Sequence, residues 1–256
     1  MTAAYHGYPL VRVGGFNTVA ATRAQLAQIM VKDCLAARTT KADPKLVFSS
    51  NGQGIALAGE DPKFADAMDG ADIIHADGMS VVNASRLLTR TPLPERAATT
   101  DFFHDAAEAA QAAGLKFFIL GGKEDQNLAA TEAMQRLYPA LQIVGRRNGY
   151  FSSEQDAEVC QAIVDSGADV LWVGLGKPKQ EFWSVANRDR LRGVGWVKTC
   201  GGLYSYLAGD APRAPVWVQK AGLEWLFRTL LEPRRLGVRY LITNPHSIYR
   251  MVRYSG

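Results

Sequence analysis

Cysteine is scarce in this 256-residue chain, and what little there is excludes much. Cys34, Cys160 and Cys200 are odd in number and far apart, with no CxxC and no cysteine–histidine cluster. That argues against a disulfide framework or a zinc site and fits a reducing cytoplasm. Only four histidines occur, His6, His75, His104 and His246, none at ligand spacing. His75 lies in an apolar run and reads as a core residue sooner than as a catalyst. There is no Asp-x-Asp pair, the usual short signature of a metal–diphosphate site, and no GxxxxGK[ST] phosphate loop. No apolar run approaches the roughly 18 residues of a transmembrane helix. The opening MTAAYHGYPLVRVGG lacks the basic start and apolar core of a secretory signal. The expectation is a chain that is soluble or attached to a membrane surface.

What is present is the composition of a folded protein: 47% hydrophobic and 21% charged residues leave ample material for a core. Short β-rich runs (LVRVGGF, KLVFSS, DIIHA, KFFILG, LQIVGR, DVLWVGLG, GVGWVKTC) alternate with helical stretches such as ATRAQLAQIMVKDCLAA, TDFFHDAAEAAQAAG and NLAATEAMQRLYPA. This alternation predicts an α/β fold, a mostly parallel Rossmann-like sheet with helices on both faces. The continuous apolar character of KFFILGG and DVLWVGLG fits strands buried on both sides. The alternation stops near residue 210. The expected organisation is therefore an α/β domain over 1–209 and a small helical appendage over 210–256, broken at Pro233 and Pro245. The appendage carries eight Arg and Lys against three acids, a local +5, which leaves the first 209 residues at about −1.

Ligands of such sheets bind at the carboxyl ends of the strands. The residues expected there are Ser49, Ser50 and Asn51; Asp77 and Gly78; Gly121 and Gly122; Gly174, Gly176 and Lys177; Gly201 and Gly202. Glycines let a backbone approach a ligand, and helix N-termini offer N–H groups to phosphate, so a nucleotide or phosphorylated ligand is inferred. VGLGKPKQEFW begins like a dinucleotide fingerprint but lacks the third glycine and has Pro178 in its turn, so an NAD site is poorly supported. Asp77 reads equally as a reactive carboxylate or as the N-cap of a helix starting near Met79. Gln180 and Glu181 fit a first helical turn, and the tail arginines fit a solvated face.

Five ordered blocks, ADGMSVV, PERAATTDF, VGLGKPKQEFW, CGGLYSYLAGDAPRAP and GLEWLFRTLLEPRRLGVRY, together resemble the WecG/TagA/CpsF glycosyltransferase family over about residues 10–245. The resemblance implies a bacterial enzyme that moves a sugar from a UDP-sugar to a polyprenyl-diphosphate-linked saccharide at the inner face of the cytoplasmic membrane. It implies that Asp77 is the general base and that Ser49, where a threonine is usual, lines the same pocket. Arg96 and Asp101 match an Arg-x-x-Gly-x-Asp block in which Thr99 and Thr100 fill the stretch where a glycine is usual. Gln180 and Glu181 match residues beside the nucleotide. Ser205 stands where the family has an acid, so no role needing a carboxylate is carried over there.

Inverting transfer needs a base for the acceptor hydroxyl and positive charge for the departing UDP. No metal or other cofactor is expected. Arg228, Arg235 and Arg239 are the candidates for neutralising the diphosphate, with Arg213 a weaker one, because guanidinium pairs bidentately with phosphate. The aromatic and basic tail suits an anionic membrane surface and a lid over the site. Homo-oligomerisation is compatible with these features, and nucleic-acid binding is poorly supported by so modest a charge. The competing readings are a non-catalytic nucleotide-sugar-binding module and an NAD-dependent oxidoreductase.

Overall fold

The computed structural model describes residues 4–210 and 212–256, apart from the side chains of Lys220 and Arg235. Nine strands form one sheet: β1 (Ala4–Tyr5), β2 (Tyr8–Val13), β3 (Phe16–Val19), β4 (Lys45–Ser50), β5 (Ile73–Ala76), β6 (Lys116–Gly121), β7 (Gln142–Arg147), β8 (Val170–Gly174) and β9 (Trp196–Thr199). Their order is β1-β2-β3-β5-β4-β9-β8-β6-β7. From β3 to β7 every neighbouring pair is parallel, while β1 and β2 are added antiparallel at one edge. The architecture is the mostly parallel, Rossmann-like α/β fold expected.

Two cores lie on opposite sides of the sheet. Helices α1 (Arg23–Thr40), α5 (Thr99–Ala113), α6 (Glu124–Leu137) and α9 (Leu203–Leu207) pack on one face through Met30, Phe102, Phe103, Met134 and Tyr204. Helices α2 (Gly52–Glu60), α3 (Pro62–Asp69), α4 (Met79–Leu88), α7 (Asp156–Asp165) and α8 (Lys179–Ala186) pack on the other through Ile55, Phe64, Val82, Ile163 and Trp183. Side chains alternate along a strand, so residues two apart share a face. On β4, Val47 belongs to the α5 core and Leu46 and Phe48 to the α2 core. The same period puts Ser49 of β4, His75 of β5 and Lys198 of β9 on the α5 side, with Ser49 opposite His75 and Lys198 opposite Val47. Three polar residues in apolar strands are thereby gathered at one place.

Two expectations are corrected. LVRVGGF is not one strand: Gly14 and Gly15, at φ 60° and 98°, make a two-residue turn between antiparallel β2 and β3. Pro245 does not break the tail. After α10 (Val216–Lys220), α11 (Glu224–Leu231) and a π-turn over Pro233–Gly237, one helix, α12 (Val238–Arg253), runs through it. The carbonyl left without a helical donor by Pro245 belongs to Leu241, an exposed residue on the outer side of the helix.

The C-terminal helix is also built into the body. It lies on α2, where Ser247 and His246 reach Gly52 and Gly59, and Met251 is buried in the α2-side core. Beyond it, Tyr254 O accepts from Gly15 N at 3.0 Å and Ser255 Oγ from Gly14 N at 3.0 Å. Truncating Met251 to alanine is expected to cost about 2–5 kcal/mol, as buried Met→Ala changes do. A urea midpoint equal to that of the wild type would show that α12 contributes nothing to the core.

Candidate active site

The chain passes from β4 outward to β5 on one side, and the later strands fill the other side and return at β9 beside β4. Loops leaving β4 and its neighbours therefore diverge, which opens a crevice at their carboxyl ends. Asp77, the first residue after β5, stands there, half-buried. Its Oδ1 accepts the Thr99 backbone N–H at 2.7 Å and its Oδ2 accepts from Asn51 Nδ2 at 3.3 Å. Asp77 is thus a helix cap, but not of the helix that follows it. The N-cap of α4 is Gly78, with no side-chain bond, whereas Thr99 is the first residue of α5, whose own N-cap residue, Ala98, has no side-chain acceptor to offer. The connection is held by Ala97 N donating to Ala76 O at 2.7 Å. Asn51 uses the other end of its amide to cap α2, accepting Gly54 N at 3.0 Å. A Cβ on Gly78 would lie 3.2 Å from Asn51 Cβ, so glycine after the acid lets Asn51 close on it.

Beneath Asp77 lies a buried polar cluster. Ser49 Oγ receives Lys198 Nζ at 3.1 Å and lies 3.2 Å from Thr99 Oγ1 and 3.4 Å from His75 Nε2. Lys177 Nζ donates to Ser49 O at 3.2 Å and pairs with Glu181 at 3.4 Å, so two lysines straddle this serine. Gln180 Nε2 donates to Glu181 Oε1 at 2.9 Å, and Gln180 Oε1 accepts Gly201 N at 2.9 Å, tying the start of α8 to the exit of β9. Glu181 Oε2 is buried with no partner among the described residues, an acceptor that a hydroxyl or a water would satisfy.

Electrostatics follow from this packing. Burial alone would raise the Asp77 carboxyl, but the Thr99 N–H, with His75, Lys198 and Asn51, outweighs it and holds the group below the ordinary carboxylate range. Burial, reinforced by Lys198, pushes His75 down to about 3, so its ring is neutral at physiological pH. The Thr99 N–H is the largest of these lowering influences on Asp77, and Lys198 acts in the same direction. Burial lowers Lys198 to about 8, and Asp77 opposes that shift.

The expected glycine rim has a second purpose. A Cβ on Gly174 would lie 2.5 Å from the Tyr204 ring and one on Gly122 3.1 Å from it. Tyr204 fills that space and donates to Trp172 O at 2.7 Å. Gly121 packs directly on the Gly174 backbone. Gly176, with φ 78°, has open space around it, and Gly202 starts α9, where Ser205 Oγ donates back to Gly202 O at 2.7 Å. Above this rim, at the ends of β6, β7 and β8, is an open cleft of about 670 Å³ lined by Gly122, Lys123, Tyr150, Phe151, Gln155 and Lys179, among others. Arg147 and Lys179 each stand 5.6 Å from the Phe151 ring.

The remaining predicted residues fall at the junction with the tail. Arg96 pairs with Glu224 of α11 at 2.6 Å and with Asp101 at 3.6 Å, and it donates to Gln219 at 3.3 Å. Arg213 pairs with Asp101 and donates to Gln219 at 3.1 Å. Arg96, Asp101 and Arg213 are therefore committed to one another and to α10–α11. Arg228 lies 5.6 Å from the Tyr206 ring, and Arg239 lies 4.8 Å from the Tyr240 ring. The side chain of Arg235 lies outside the described residues. Gly222, between α10 and α11, abuts Met79, so the tail corner sits beside the Asp77–Gly78 turn.

The sequence reading missed three parts of this site: Lys198, the Thr99 N–H, and the Tyr150–Phe151–Lys179 wall of the cleft. A signal existed for the first. In WVKTC a lysine alternates with Trp196 inside an otherwise apolar strand, where a charge needs a buried partner. The Thr99 contact had none, because it joins positions 22 residues apart through a backbone atom.

Among profiles of known families, that of the glycosyl transferase WecG/TagA/CpsF family matches residues 11–255, from within β2 to beyond the end of α12.

Arg96→Ala removes the ion pair to Glu224 and one of the two arginine contacts of Gln219, and is expected to loosen the tail by on the order of 1–3 kcal/mol. Amide exchange should quicken in residues 213–231 and stay unchanged in β4, β8 and β9. Equal protection of 213–231 in both proteins would count against the docking role of this network.

Proposed function

The chain belongs to the WecG/TagA/CpsF family of glycosyltransferases, and from that premise we propose an inverting enzyme that transfers a hexose or N-acetylhexosamine from a UDP-sugar to a polyprenyl-diphosphate-linked saccharide in bacterial cell-surface or exopolysaccharide biosynthesis. The observation that carries this reading is Asp77: an ionised carboxylate at the switch point of the sheet, one oxygen pinned by Thr99 and the other held only by a 3.3 Å amide contact. In the proposed step the acceptor hydroxyl gives its proton to Asp77 Oδ2 while its oxygen attacks the anomeric carbon. The bond from that carbon to the diphosphate breaks on the opposite face and UDP leaves. A carboxylate of low basicity takes the proton late, as the forming bond acidifies the hydroxyl.

The cleft beyond β8 supports a nucleotide donor. β8 lies three strands from β5, about 14 Å at the usual strand spacing, a span that an extended nucleoside diphosphate bridges. Tyr150 and Phe151 offer rings for the base, and Lys123 and Lys179 offer charge for the phosphates. Neutralisation of the leaving UDP is assigned to lysines of the cleft and to tail arginines such as Arg228 and Arg239, which would exchange their aromatic contacts for phosphate.

The tail supports a place at the membrane surface. No described helix is long and apolar enough to cross a bilayer, yet Leu230, Leu231, Val238, Leu241, Ile242 and Ile248 are exposed on α11 and α12 amid arginines. This composition suits insertion at the level of anionic headgroups, with the α10–α11 corner at Met79 acting as a lid when acceptor is met.

Asp77→Asn keeps an oxygen for Thr99 N and is expected to fold. Turnover of UDP-sugars on a polyprenyl-diphosphate-sugar analogue should fall by roughly 10²–10⁴, the usual worth of general base help, with UDP-sugar affinity by calorimetry largely unchanged. Retained turnover would overturn the assignment of Asp77. Replacing exposed Leu241 and Ile242 with aspartate should abolish co-flotation with phosphatidylglycerol vesicles without lowering Tm; undiminished flotation would remove the membrane role from α12.

A further inference from the structure

Lys198 has no part in the transfer step above, and its position calls for an explanation. Its side chain is fully buried, and an ammonium in such a place is costly unless it is paired. Two acceptors are in hand, Ser49 Oγ and the Thr199 carbonyl. Neither is charged.

The charged and titratable groups facing it come from every element around it. Asp77 and His75 face it from β5 and its exit, Cys200 from the exit of its own strand, and Lys177 and Glu181 from the loop after β8 and from α8. His75 is neutral at physiological pH, and burial pushes the Cys200 thiol up to about 12, so it too is uncharged. Glu181 is already paired with Lys177 at 3.4 Å. Asp77 is the carboxylate that remains. The path between them is short and entirely within the protein: Lys198 Nζ holds Ser49 Oγ, Ser49 Oγ bonds Thr99 Oγ1 at 3.2 Å, and Thr99 N holds Asp77 Oδ1.

We propose that Lys198 is a positioning residue whose buried ammonium, locked to Ser49, is the internal counter-charge that keeps Asp77 ionised and fixes the Ser49–Thr99 pair on which the carboxylate rests. This rests on the reading of Asp77 as the base. It gives Ser49 a different task from lining the substrate pocket, since its hydroxyl is occupied by Lys198 and Thr99. It also accounts for a lysine in a strand that is otherwise apolar. The acidic limit of activity is then set by a residue that never meets substrate.

The sign of the effect is fixed. A nearby positive charge favours the ionised carboxylate, so removing it raises the Asp77 pKa, and removing Asp77 lowers that of Lys198. Coupling is reciprocal, so the two shifts should match in size. Aspartate carboxyl carbons and lysine ε-carbons, followed by ¹³C NMR against pH, read both without reference to activity. In the wild type one lysine should titrate near 8. In Asp77→Asn it should titrate lower. In Lys198→Met, and in Lys198→Gln, which removes the charge but keeps a donor for Ser49, the Asp77 carboxyl should titrate higher by about one unit. The acid limb of the turnover profile should move with it, a roughly tenfold loss at a pH on that limb.

An Asp77 titration unmoved in either Lys198 variant would overturn the proposal. If neither variant folds, an unmoved Lys198 titration in Asp77→Asn does the same. A merely structural lysine would lower Tm in its variants and leave both titrations in place. Should Asp77→Asn retain turnover, the base assignment fails, and the two NMR shifts still decide whether the pair is coupled.

Discussion

Thr99 N–H meets Asp77 Oδ1 at 2.7 Å, and much of the rest depends on that contact. It joins the end of β5 to the beginning of α5 and supplies the cap that Ala98 cannot. It also orients the carboxylate, because an oxygen bound at a helix N-terminus leaves the other to face the crevice. A helix N-terminus favours negative charge, so the same bond that positions the acid keeps it ionised. The residues on either side of Thr99 extend the effect: Arg96 and Asp101 pair with Glu224 and Arg213, so the loop that fixes the carboxylate also ties the tail to the body.

Charge inside the sheet is arranged in pairs. Lys177 answers Glu181, Lys198 is held by Ser49 with Asp77 as its proposed counter-charge, and Ser49 lies between the two ammonium groups. Each charge alone would be expensive to bury. Set together at the carboxyl ends of β4, β8 and β9, they produce a site whose fields are fixed before any ligand arrives, which is the form of electrostatic assistance that catalysis uses best. The glycines of the rim serve the same rigidity, closing on Tyr204 below while keeping side chains out of the cleft above.

The tail is less separable than its composition implies. Its basic and aromatic surface reads as an appendage, but α12 covers α2, Met251 enters the core and residues 254–255 bond to the β2–β3 turn. α10 and α11 are joined to the body through Arg96, Arg213, Met79 and the buried Val218.

Strand and helix alternation, the parallel sheet, the carboxyl-edge position of Asp77 and the family itself were legible in the sequence, because hydrophobic period and ordered motifs are local properties of a chain. The fine detail that went astray, the Gly14–Gly15 turn and the helix through Pro245, was local too, but decided by pairing partners and by exposure. What only the tertiary structure decided is which groups meet. That Asp77 caps α5 and not α4, that Ser49 serves Lys198, and that Arg96 binds the tail all depend on contacts between positions from 22 to 149 residues apart. Side-chain chemistry names the candidates for such contacts. Only packing, which fixes distance and shuts out water, selects among them.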